Sequence, residues 1–322
     1  MINVRIIKDW DWPDLMRQTP DCNGIWDNIR FTLDPVEECD YVVMLNNNMN
    51  CKSVVKCPEG NIWALMQEPY VKGFSDWMVE GHTLFSRVYT HYIPSNDSKY
   101  IVSQPALPWH INKSFDQLSQ TDIPEKSKTL SWIVGNARII PGHFKRLLFL
   151  QFIQNESILD IDLYGRAVRA IDDKWDGLER YKYSLAIENS CSPDYWTEKI
   201  ADCFLSWTVP IYYGCTNLEK YFPEESFIRI DIDKAEIAVE RIRSVIKNNE
   251  WKRRLPAVKK ARDLILNEYQ FFPYWAKHIQ SHNMTGGKKT LTLIPPYRKS
   301  MKTHLNRKLL KIRMEINKQL CK

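Results

Sequence analysis

Short runs of β-branched and aromatic residues alternate with helical patterns along most of the chain. The first part contains four such runs, at 3–7 (NVRII), 41–46 (YVVMLN), 62–67 (IWALMQ) and 87–92 (RVYTHY). The second part contains five, at 129–136, 158–165, 182–189, 209–214 and 227–232. Strand–helix–strand alternation of this kind predicts largely parallel sheets covered by helices on both faces, which is an α/β fold.

A polar stretch separates the two series of strands. Residues 112–128 (NKSFDQLSQTDIPEKSK) lack apolar periodicity and contain a proline, a composition typical of a linker. We therefore predict one α/β domain over 1–120, a second over 121–280 and a tail over 281–322. Two such domains are expected to face each other across a cleft, and ligands of open α/β sheets bind beyond the carboxyl ends of the strands.

The composition narrows the class of protein. Apolar residues make up 44% and charged residues 26% of the 322, as in soluble globular proteins. The N-terminal stretch MINVRIIKDWDW lacks the apolar segment of a signal peptide, and no run approaches the roughly 20 apolar residues that cross a bilayer. The eight cysteines are scattered without C-x-x-C or zinc-ligand spacing, which favours reduced, packed thiols. These features predict a cytoplasmic protein.

Positive charge is concentrated at the C-terminal end of the chain. Residues 281–322 carry eight Lys and three Arg against the acidic residue Glu315. Because this excess is larger than the net charge of +6 of the whole chain, the remainder is mildly acidic. Such a distribution argues against a general nucleic-acid-binding protein.

The basic tail also has an amphipathic pattern over 304–322. The apolar residues at helical spacing are Leu305, Leu309, Ile312, Ile316 and Leu320, and the basic residues opposite them are Arg307, Lys311, Lys318 and Lys322. This pattern is typical of a helix that lies on an anionic membrane surface. It predicts peripheral association with the inner face of the cytoplasmic membrane. A helix that packs on the body of the protein and a solvated tail are the alternatives.

A polar cluster lies between two apolar runs at 188–215 (ENSCSPDYWTEKIADCFLSWTVPIYYGC). The first run ends in Glu188 and Asn189, and a helix is predicted to start near Thr197. A helix N-terminus offers free N–H groups and a partial positive charge, which suit a phosphate group. Lys199 in the first turn opposes the helix dipole unless an anion binds there. On spacing alone, a nucleotide diphosphate site and a capped surface helix are equally open.

The same region resembles a known family. The pattern Y-K-Y-S-L-A-I-E-N-S-x4-D-Y-W-T-E-K-I, followed by V-P-I-Y-Y-G and F-P-x-x-S-F-I, looks like the donor-binding signature of the α-1,3/1,4-fucosyltransferases of glycosyltransferase family 10, bacterial type. The resemblance runs from about Trp132 to Asp231 and is much weaker over the first 120 residues. It implies a GT-B fold of two Rossmann-like domains. It also implies an inverting enzyme that moves L-fucose from GDP-fucose to a hydroxyl of a glycan acceptor.

The resemblance implies which residues contact the donor. The signature positions that bind GDP-fucose in the family are Asn189, Tyr195, Glu198 and Lys199 here. An upstream arginine that faces the pyrophosphate is matched by Arg146 in PGHFKRLLFL, with Arg138 as a less favoured alternative. Together, Arg146 and Lys199 would neutralise the charge that builds on the departing GDP.

Two D-x-D strings raise the question of a metal site. They are Asp160–Asp162 and Asp231–Asp233, and both lie inside alternating, strand-like runs, where such aspartates are most often structural. GT-B enzymes do not generally depend on a bound metal. The resemblance therefore implies no metal and no cofactor, with GDP-fucose as the donor substrate.

Direct displacement at a sugar carbon needs a base for the attacking hydroxyl, and a carboxylate is the usual choice. Glu68 follows an apolar run and precedes a proline in IWALMQEPYVKG, similar to the position of the proposed base in the family. A glutamate exposed beside a turn proline is the alternative. In PALPWHIN, Trp109 and His110 are candidates for stacking on and hydrogen bonding to the acceptor, and a core tryptophan beside a surface histidine is equally open.

The acceptor expected from the resemblance is a glycan, and a basic tail on the inner membrane face would suit a lipid-linked glycan or a lipopolysaccharide O-chain. Two other functions stay open at this point. One is a family member that uses a different GDP-sugar. The other is a catalytically inactive carbohydrate-binding protein of the same fold.

Overall fold

The structure, a computed structural model, describes residues 1–156, 159–166, 168–282 and 287–320. The strands are β1 (Ile2–Ile7), β2 (Ile25–Trp26), β3 (Ile29–Thr32), β4 (Tyr41–Leu45), β5 (Ser53–Cys57), β6 (Ile62–Leu65), β7 (Arg87–Thr90), β8 (Tyr100–Val102), β9 (Lys128–Ile133), β10 (Asp162–Tyr164), β11 (Tyr181–Ile187), β12 (Val209–Tyr213), β13 (Ile228–Arg229) and β14 (Thr290–Ile294). The α-helices are α1 (Phe115–Gln120), α2 (Pro141–Glu156), α3 (Glu198–Leu205), α4 (Ala235–Lys247), α5 (Trp251–Leu264), α6 (Phe271–Ser281) and α7 (Met301–Leu320).

The chain forms two compact units, whose boundaries differ from those of the predicted domains. Unit 1 consists of Met1–Leu107, Ser114–Asp116 and Gln270–Asn317. Unit 2 is built mainly from Pro108–Lys113 and Gln117–Tyr269. The chain therefore first passes from unit 1 to unit 2 after Leu107, before the boundary predicted at residue 120. Residues from 270 onward return to unit 1, whereas the sequence predicted that the second domain would continue to residue 280.

Unit 1 contains a seven-stranded sheet in the order β2-β3-β1-β4-β6-β7-β8. Its neighbouring strands are parallel except for the antiparallel pair of β2 and β3. A separate antiparallel pair joins β5 to β14. The four strands predicted for the first domain are confirmed as β1, β4, β6 and β7.

Both faces of this sheet are buried, as expected for parallel strands. On β4, Val43 and Leu45 pack into one apolar cluster, to which α6 contributes Trp275. Val42 and Met44, which point to the opposite face, belong to a second cluster. The helix that follows unit 2 in the chain therefore supplies part of the core of unit 1.

Unit 2 contains a five-stranded sheet in the order β10-β9-β11-β12-β13. All neighbouring strands are parallel, so their carboxyl ends lie at one edge. The five runs predicted for the second domain correspond to these strands, although Ile158, where one run was expected to begin, lies outside the described residues. In the chain, α2 follows β9 and α3 follows β11.

The tail forms α7, which packs on unit 1 through polar residues. Thr303 Oγ1 donates to Glu80 Oε1 (2.6 Å), and Asn306 Nδ2 donates to Asp76 Oδ1 (3.2 Å). The apolar residues on another side are 52–59% exposed: Leu305, Leu309, Ile312 and Ile316. The helix is thus docked on the body, yet its apolar stripe faces outward. The side chains of Lys318 and Leu320, and Lys322, lie outside the described residues.

Among the described residues, no helix combines the length and apolar character required to span a lipid bilayer.

Candidate donor-binding site

Strand β11 and helix α3 meet at a buried threonine. Thr197 is the N-cap of α3, and its Oγ1 accepts from the backbone N–H of Lys199 (3.4 Å). Its own N–H donates to Glu188 Oε1 (2.8 Å), and its hydroxyl donates to the same carboxylate (2.7 Å to Oε2). Glu188 follows β11 directly, so Thr197 fixes the start of the helix to the end of the strand. The predicted helix start is confirmed.

Lys199 is held by two carboxylates at this junction. Its Nζ lies 3.2 Å from Glu188 Oε2 and 3.3 Å from Glu198 Oε1, and it also donates to Thr197 Oγ1 (3.0 Å). Burial lowers the pKa of Lys199, but the two carboxylates outweigh burial and raise the pKa above its ordinary value. The ammonium group is therefore charged throughout the physiological range.

Glu198 is also in contact with a second lysine. Its Oε1 lies 3.3 Å from Lys174 Nζ and 3.7 Å from His110 Nδ1. Burial alone would raise the pKa of Glu198, but the charges of Lys199 and Lys174 hold it well below its ordinary value. Glu198 is thus an ionised carboxylate in a nearly closed environment.

Asp202, one turn further along α3, completes this charged group. Its Oδ2 lies 3.3 Å from Lys174 Nζ, and its Oδ1 accepts from the backbone N–H of His110 (2.8 Å). Burial raises the pKa of Asp202 to about 6. Lys174 therefore bridges two acidic residues of the same helix.

Arg146 approaches the same junction from α2. Its Nη1 donates to Asn189 Oδ1 (2.6 Å), and its Nη2 donates to the carbonyl oxygen of Gly135 (3.3 Å). Its Nε is buried and has no hydrogen-bond partner among the described residues. Burial lowers the pKa of Arg146, while Glu188 and Glu198 act in the opposite direction. Arg146 also lies close enough to Lys199 to lower the pKa of that lysine.

The first turn of α2 brings Arg146 to this position. Gly142 lies against the main chain of Asn189, so closely that a Cβ there would be 1.9 Å from the Asn189 carbonyl oxygen. His143 Nδ1 accepts from the backbone N–H groups of Ile139 (3.2 Å) and Ile140 (3.3 Å). Burial, followed by the charges of Arg146 and Lys199, lowers the pKa of His143 to about 4. The histidine is therefore neutral and satisfies the helix N-terminus through its ring nitrogen.

In unit 1, Glu68 lies at the carboxyl end of β6, as predicted. It is exposed and stands between the buried residues Gln67 and Pro69. The backbone N–H of Gln67 donates to Asn46 Oδ1 (2.8 Å), which ties this turn to the end of β4. The catalytic role of Glu68 stays a prediction.

Tyr70, two residues beyond Glu68 in the chain, forms an aromatic pair with the exposed Tyr92. The rings of Tyr70 and Tyr92 stack with a centroid distance of 4.1 Å and an interplanar angle of 27°. Tyr92 is 43% exposed. These tyrosines follow β6 and β7, so they lie at the carboxyl ends of neighbouring parallel strands.

A comparison with known protein families identifies the part of the chain that holds the charged cluster. The model described as glycosyltransferase family 10 (fucosyltransferase), C-terminal part, matches residues 123–264. Residues 123–264 are therefore a glycosyltransferase family 10 domain. The family 10 domain contains the four donor-signature residues, Arg146 and Lys174.

Curated relatives extend the likeness beyond this domain. The human 4-galactosyl-N-acetylglucosaminide 3-alpha-L-fucosyltransferase is 31% identical over 253 residues, which cover 71% of this chain and 65% of that protein. The corresponding protein of Pongo pygmaeus is 32% identical over 129 residues, or 38% of this chain and 34% of that protein. The chain thus spans between about one third and two thirds of the length of these relatives.

Solved structures share the fold. A crystal structure of an alpha1,3-fucosyltransferase with GDP has a TM-score of 0.50 at 17% identity, covering 84% of this chain and 92% of that chain. An alpha-glucosyltransferase in complex with UDP and a 13-mer DNA has a TM-score of 0.51 at 8% identity, covering 87% and 99%. At such low identity the likeness concerns the fold alone. It confirms the expected α/β fold of the GT-B class.

The structure places the donor-signature residues of the family 10 domain in one region. Asn189, Glu198 and Lys199 meet at the junction of β11 and α3, and Arg146 joins them through Asn189. Tyr195 lies in the connecting loop and is only 3% exposed. The less favoured alternative, Arg138, is exposed.

The two candidate acceptor residues are located differently from what the sequence predicted. Pro108–Lys113 belongs to unit 2, whereas the sequence placed it in the first domain. Trp109 is 1% exposed, and its Nε1 donates to the carbonyl oxygen of Lys113 (2.9 Å). With no open ring face for a sugar, Trp109 fits the alternative of a core residue. His110 lies beside Glu198, with 3.7 Å between its Nδ1 and Glu198 Oε1.

Two aspartates of the D-x-D strings are paired with lysines, which fits the structural interpretation. Asp162 Oδ2 lies 2.8 Å from Lys128 Nζ and accepts from the Tyr181 hydroxyl (2.6 Å). Asp233 Oδ2 lies 2.6 Å from Lys145 Nζ. Within the described ranges, no group of three or more His, Cys, Asp or Glu side chains is arranged to hold a metal ion.

Sequence reasoning missed Lys174, Asp202, Gly142 and His143. Lys174 is 24 residues from Glu198 in the chain and lies in a short 3₁₀ turn without a recognisable sequence motif. The sequence could have indicated Asp202, because it follows Glu198 by four residues and therefore lies on the same side of α3. Gly142 in PGHFKR lies close to the predicted Arg146 in the sequence. The close main-chain contact that requires a glycine at this position is apparent only in the fold.

Proposed function

We propose that this protein is an inverting glycosyltransferase that transfers L-fucose from GDP-fucose to a hydroxyl group of a glycan acceptor. The observation that carries the proposal is that Arg146 contacts Asn189 and Lys199 contacts Glu188, so both cations lie at the carboxyl end of β11 within a family 10 domain. Two cations and a helix N-terminus at one place favour a diphosphate.

The diphosphate of the donor would bind between Arg146 and Lys199. The buried Nε of Arg146, which lacks a partner among the described residues, would then gain an acceptor. Lys199 would exchange part of its contact with carboxylates for a phosphate oxygen. Ionised Glu198 would accept hydrogen bonds from hydroxyl groups of the ribose or the fucose. As the bond between fucose C1 and the phosphate oxygen breaks, the two cations would stabilise the negative charge left on GDP.

Glu68 would act as the general base. Its carboxylate would take the proton from the acceptor hydroxyl while the hydroxyl oxygen forms a bond to fucose C1. One displacement with one leaving group inverts the configuration at C1, so a β-linked donor would give an α-linked product. The exposed position of Glu68 at the end of β6 supports this role, since a base must be reachable by its substrate.

The acceptor and the membrane association belong to the same proposal. Tyr70, two residues from Glu68 in the chain, stacks on Tyr92, and such rings pack against the apolar faces of sugars. The exposed apolar stripe of α7 and its many lysines and arginines suit an anionic lipid surface. A lipid-linked glycan or a lipopolysaccharide O-chain at the inner face of the cytoplasmic membrane would bring acceptor and enzyme together.

The donor binding is the step to test first, by calorimetric titration of the full chain with GDP and with UDP. We expect GDP to bind and UDP to bind much more weakly. Lys199→Met should weaken GDP binding by about ten- to a hundredfold, since a hydrogen bond to a charged group contributes roughly 1.5–3 kcal/mol. Lys182→Met is the matched control, because Lys182 is a partly exposed lysine of β11 whose Nζ donates to Asn249 Oδ1 (3.2 Å).

Turnover separates the two remaining alternatives. Release of GDP from GDP-fucose in the presence of glycan acceptors supports the proposal, whereas preferential release from another GDP-sugar assigns a different donor. Tight GDP binding without turnover of any GDP-sugar would favour an inactive carbohydrate-binding protein. Absence of GDP binding by the wild-type protein would overturn the proposal altogether.

A further inference from the structure

Lys174 is a partly buried cation beside Glu198, and neither the sequence motif nor the proposed mechanism uses it. We propose that Lys174 is a positioning residue that holds the carboxylate of Glu198 when Lys199 turns towards the diphosphate of the donor. This inference rests on the proposed function, since it concerns the same site.

The charges around the cluster explain why a second lysine is needed. In the structure, the carboxylates of Glu188, Glu198 and Asp202 face three cations, which are Arg146, Lys174 and Lys199. Lys199 is shared between Glu188 and Glu198. When Lys199 binds a phosphate oxygen, its contact with Glu198 weakens. A buried carboxylate that loses its partner is costly, because its charge is no longer compensated.

Lys174 is in place to prevent this loss. Its Nζ lies 3.3 Å from Glu198 Oε1, the same oxygen that Lys199 contacts at 3.3 Å. It also donates to Asp202 Oδ2 (3.3 Å) and lies 3.2 Å from His110 Nδ1. None of these three partners needs to bind the diphosphate. Lys174 can therefore keep Glu198 ionised and aimed while Lys199 moves.

The backbone around Lys174 is fixed independently of the donor. Lys174 begins a single 3₁₀ turn, Lys174–Gly177, whose N-cap is Asp173. Asp173 Oδ1 accepts from the backbone N–H of Trp175 (2.9 Å) and from that of Asn112 (2.9 Å). The turn is thereby tied to the segment that carries His110. A fixed backbone limits the positions that the lysine can adopt, as a positioning residue requires.

The decisive variant is Lys174→Met, which keeps the length and the apolar stem of the side chain but removes the charge. We expect the dissociation constant for GDP to rise at least tenfold, and the KM for GDP-fucose to rise similarly. The value of kcat should change by less than threefold, because Glu198 would contact the donor equally before and during the reaction. Lys182→Met should match the wild type in both measurements.

A second variant guards against a folding defect. Lys174→Met leaves Asp202 without its lysine, so it can destabilise the protein for reasons unrelated to the donor. The double variant Lys174→Met/Asp202→Asn removes both charges, so no buried carboxylate is left without its lysine. If Lys174 acts through Glu198, the double variant should fold stably and still bind GDP at least tenfold more weakly than the wild type.

These measurements test the role of Lys174 separately from the proposed function. Wild-type affinity in Lys174→Met, or its recovery in the double variant, would overturn the role of Lys174 and leave the proposed function intact. A fall in kcat with an unchanged KM would also overturn it. Failure of the wild-type protein to bind GDP would instead overturn the proposed function, and the role of Lys174 with it.

Discussion

Gly142 in the first turn of α2 lies in direct contact with the main chain of Asn189, at the end of β11. A Cβ on Gly142 would be 1.9 Å from the carbonyl oxygen and 2.6 Å from the carbonyl carbon of Asn189. One turn later, the same helix carries Arg146, whose Nη1 donates to the Asn189 side chain at 2.6 Å. The close approach of helix and strand end therefore sets the position of the arginine.

Gly142→Ala should disturb this position. Because the obstructing atoms belong to the main chain, α2 has to shift, and overpacking of this kind destabilises proteins by about 1–3 kcal/mol. We expect a lower free energy of unfolding in urea and at least tenfold weaker GDP binding. Gly135→Ala is the comparison variant for stability, since its Cβ would make an ordinary 3.6 Å contact with Arg146. Equal GDP affinity of Gly142→Ala and wild type would contradict the role of this contact.

His143 predicts a pH dependence of stability. Its folded pKa of about 4 lies below the unfolded value of about 6.5, so the unfolded chain binds a proton first as the pH falls. The stabilisation by neutral His143 is complete above pH 6.5 and is lost as the pH falls towards 4. The loss amounts to about 3 kcal/mol, because one pKa unit corresponds to about 1.4 kcal/mol.

The measurement compares wild type with His143→Asn in urea unfolding at several pH values. Asparagine keeps an acceptor for the N–H groups of Ile139 and Ile140 but does not titrate. We therefore expect the difference in free energy of unfolding between the two proteins to shift by about 3 kcal/mol against the wild type between pH 7 and pH 4. A constant difference over this range would show that His143 titrates normally.

The role of Glu68 is tested by measuring kcat and GDP affinity separately. Glu68→Gln removes the proton acceptor while keeping the shape of the side chain. We expect kcat to fall about 10²- to 10⁴-fold, the usual contribution of general base catalysis, with GDP affinity unchanged. Glu37→Gln, an exposed glutamate of the same unit, should retain full activity. Full activity of Glu68→Gln would assign the base to another residue.

The outward-facing stripe of α7 predicts binding to anionic vesicles. Replacing Leu305, Leu309 and Ile312 by Ser removes apolar side chains that are exposed. The stability should change by less than about 0.5 kcal/mol per site, whereas vesicle binding should fall at least tenfold, since burying such a side chain contributes about 1.5–3 kcal/mol. Co-sedimentation with phosphatidylglycerol vesicles measures the effect, with phosphatidylcholine vesicles as the control. Equal sedimentation of both proteins would contradict membrane binding by this surface.

The sequence predicts the parallel sheets well because their central strands are continuous apolar runs. The strands β4, β6 and β11 are buried on both faces and stand out from the helical patterns around them. Pairing between β5 and β14 was missed, since the two strands are more than 200 residues apart and both show alternate exposed residues. Nothing local indicates such a partner.

For the candidate site, the sequence predicted the residues that a local motif contains and missed those that the fold brings in. Glu198, Lys199 and Asn189 belong to one continuous pattern, and they lie together as expected. Lys174 resembles a surface lysine in its local sequence. Its ionic partners are 24 and 28 residues away, so its environment depends on the tertiary structure.

Unit 1 contains the first hundred residues and also the segment from residue 270 onward. During synthesis, the strands of its sheet therefore leave the ribosome long before α6, which supplies Trp275 to one of its apolar faces. Until α6 is synthesised, that face has to stay uncovered or be shielded by a chaperone. Unit 2 is nearly continuous in the sequence, so its residues are synthesised one after another. A truncation before residue 270 should accordingly leave unit 1 aggregation-prone and spare unit 2.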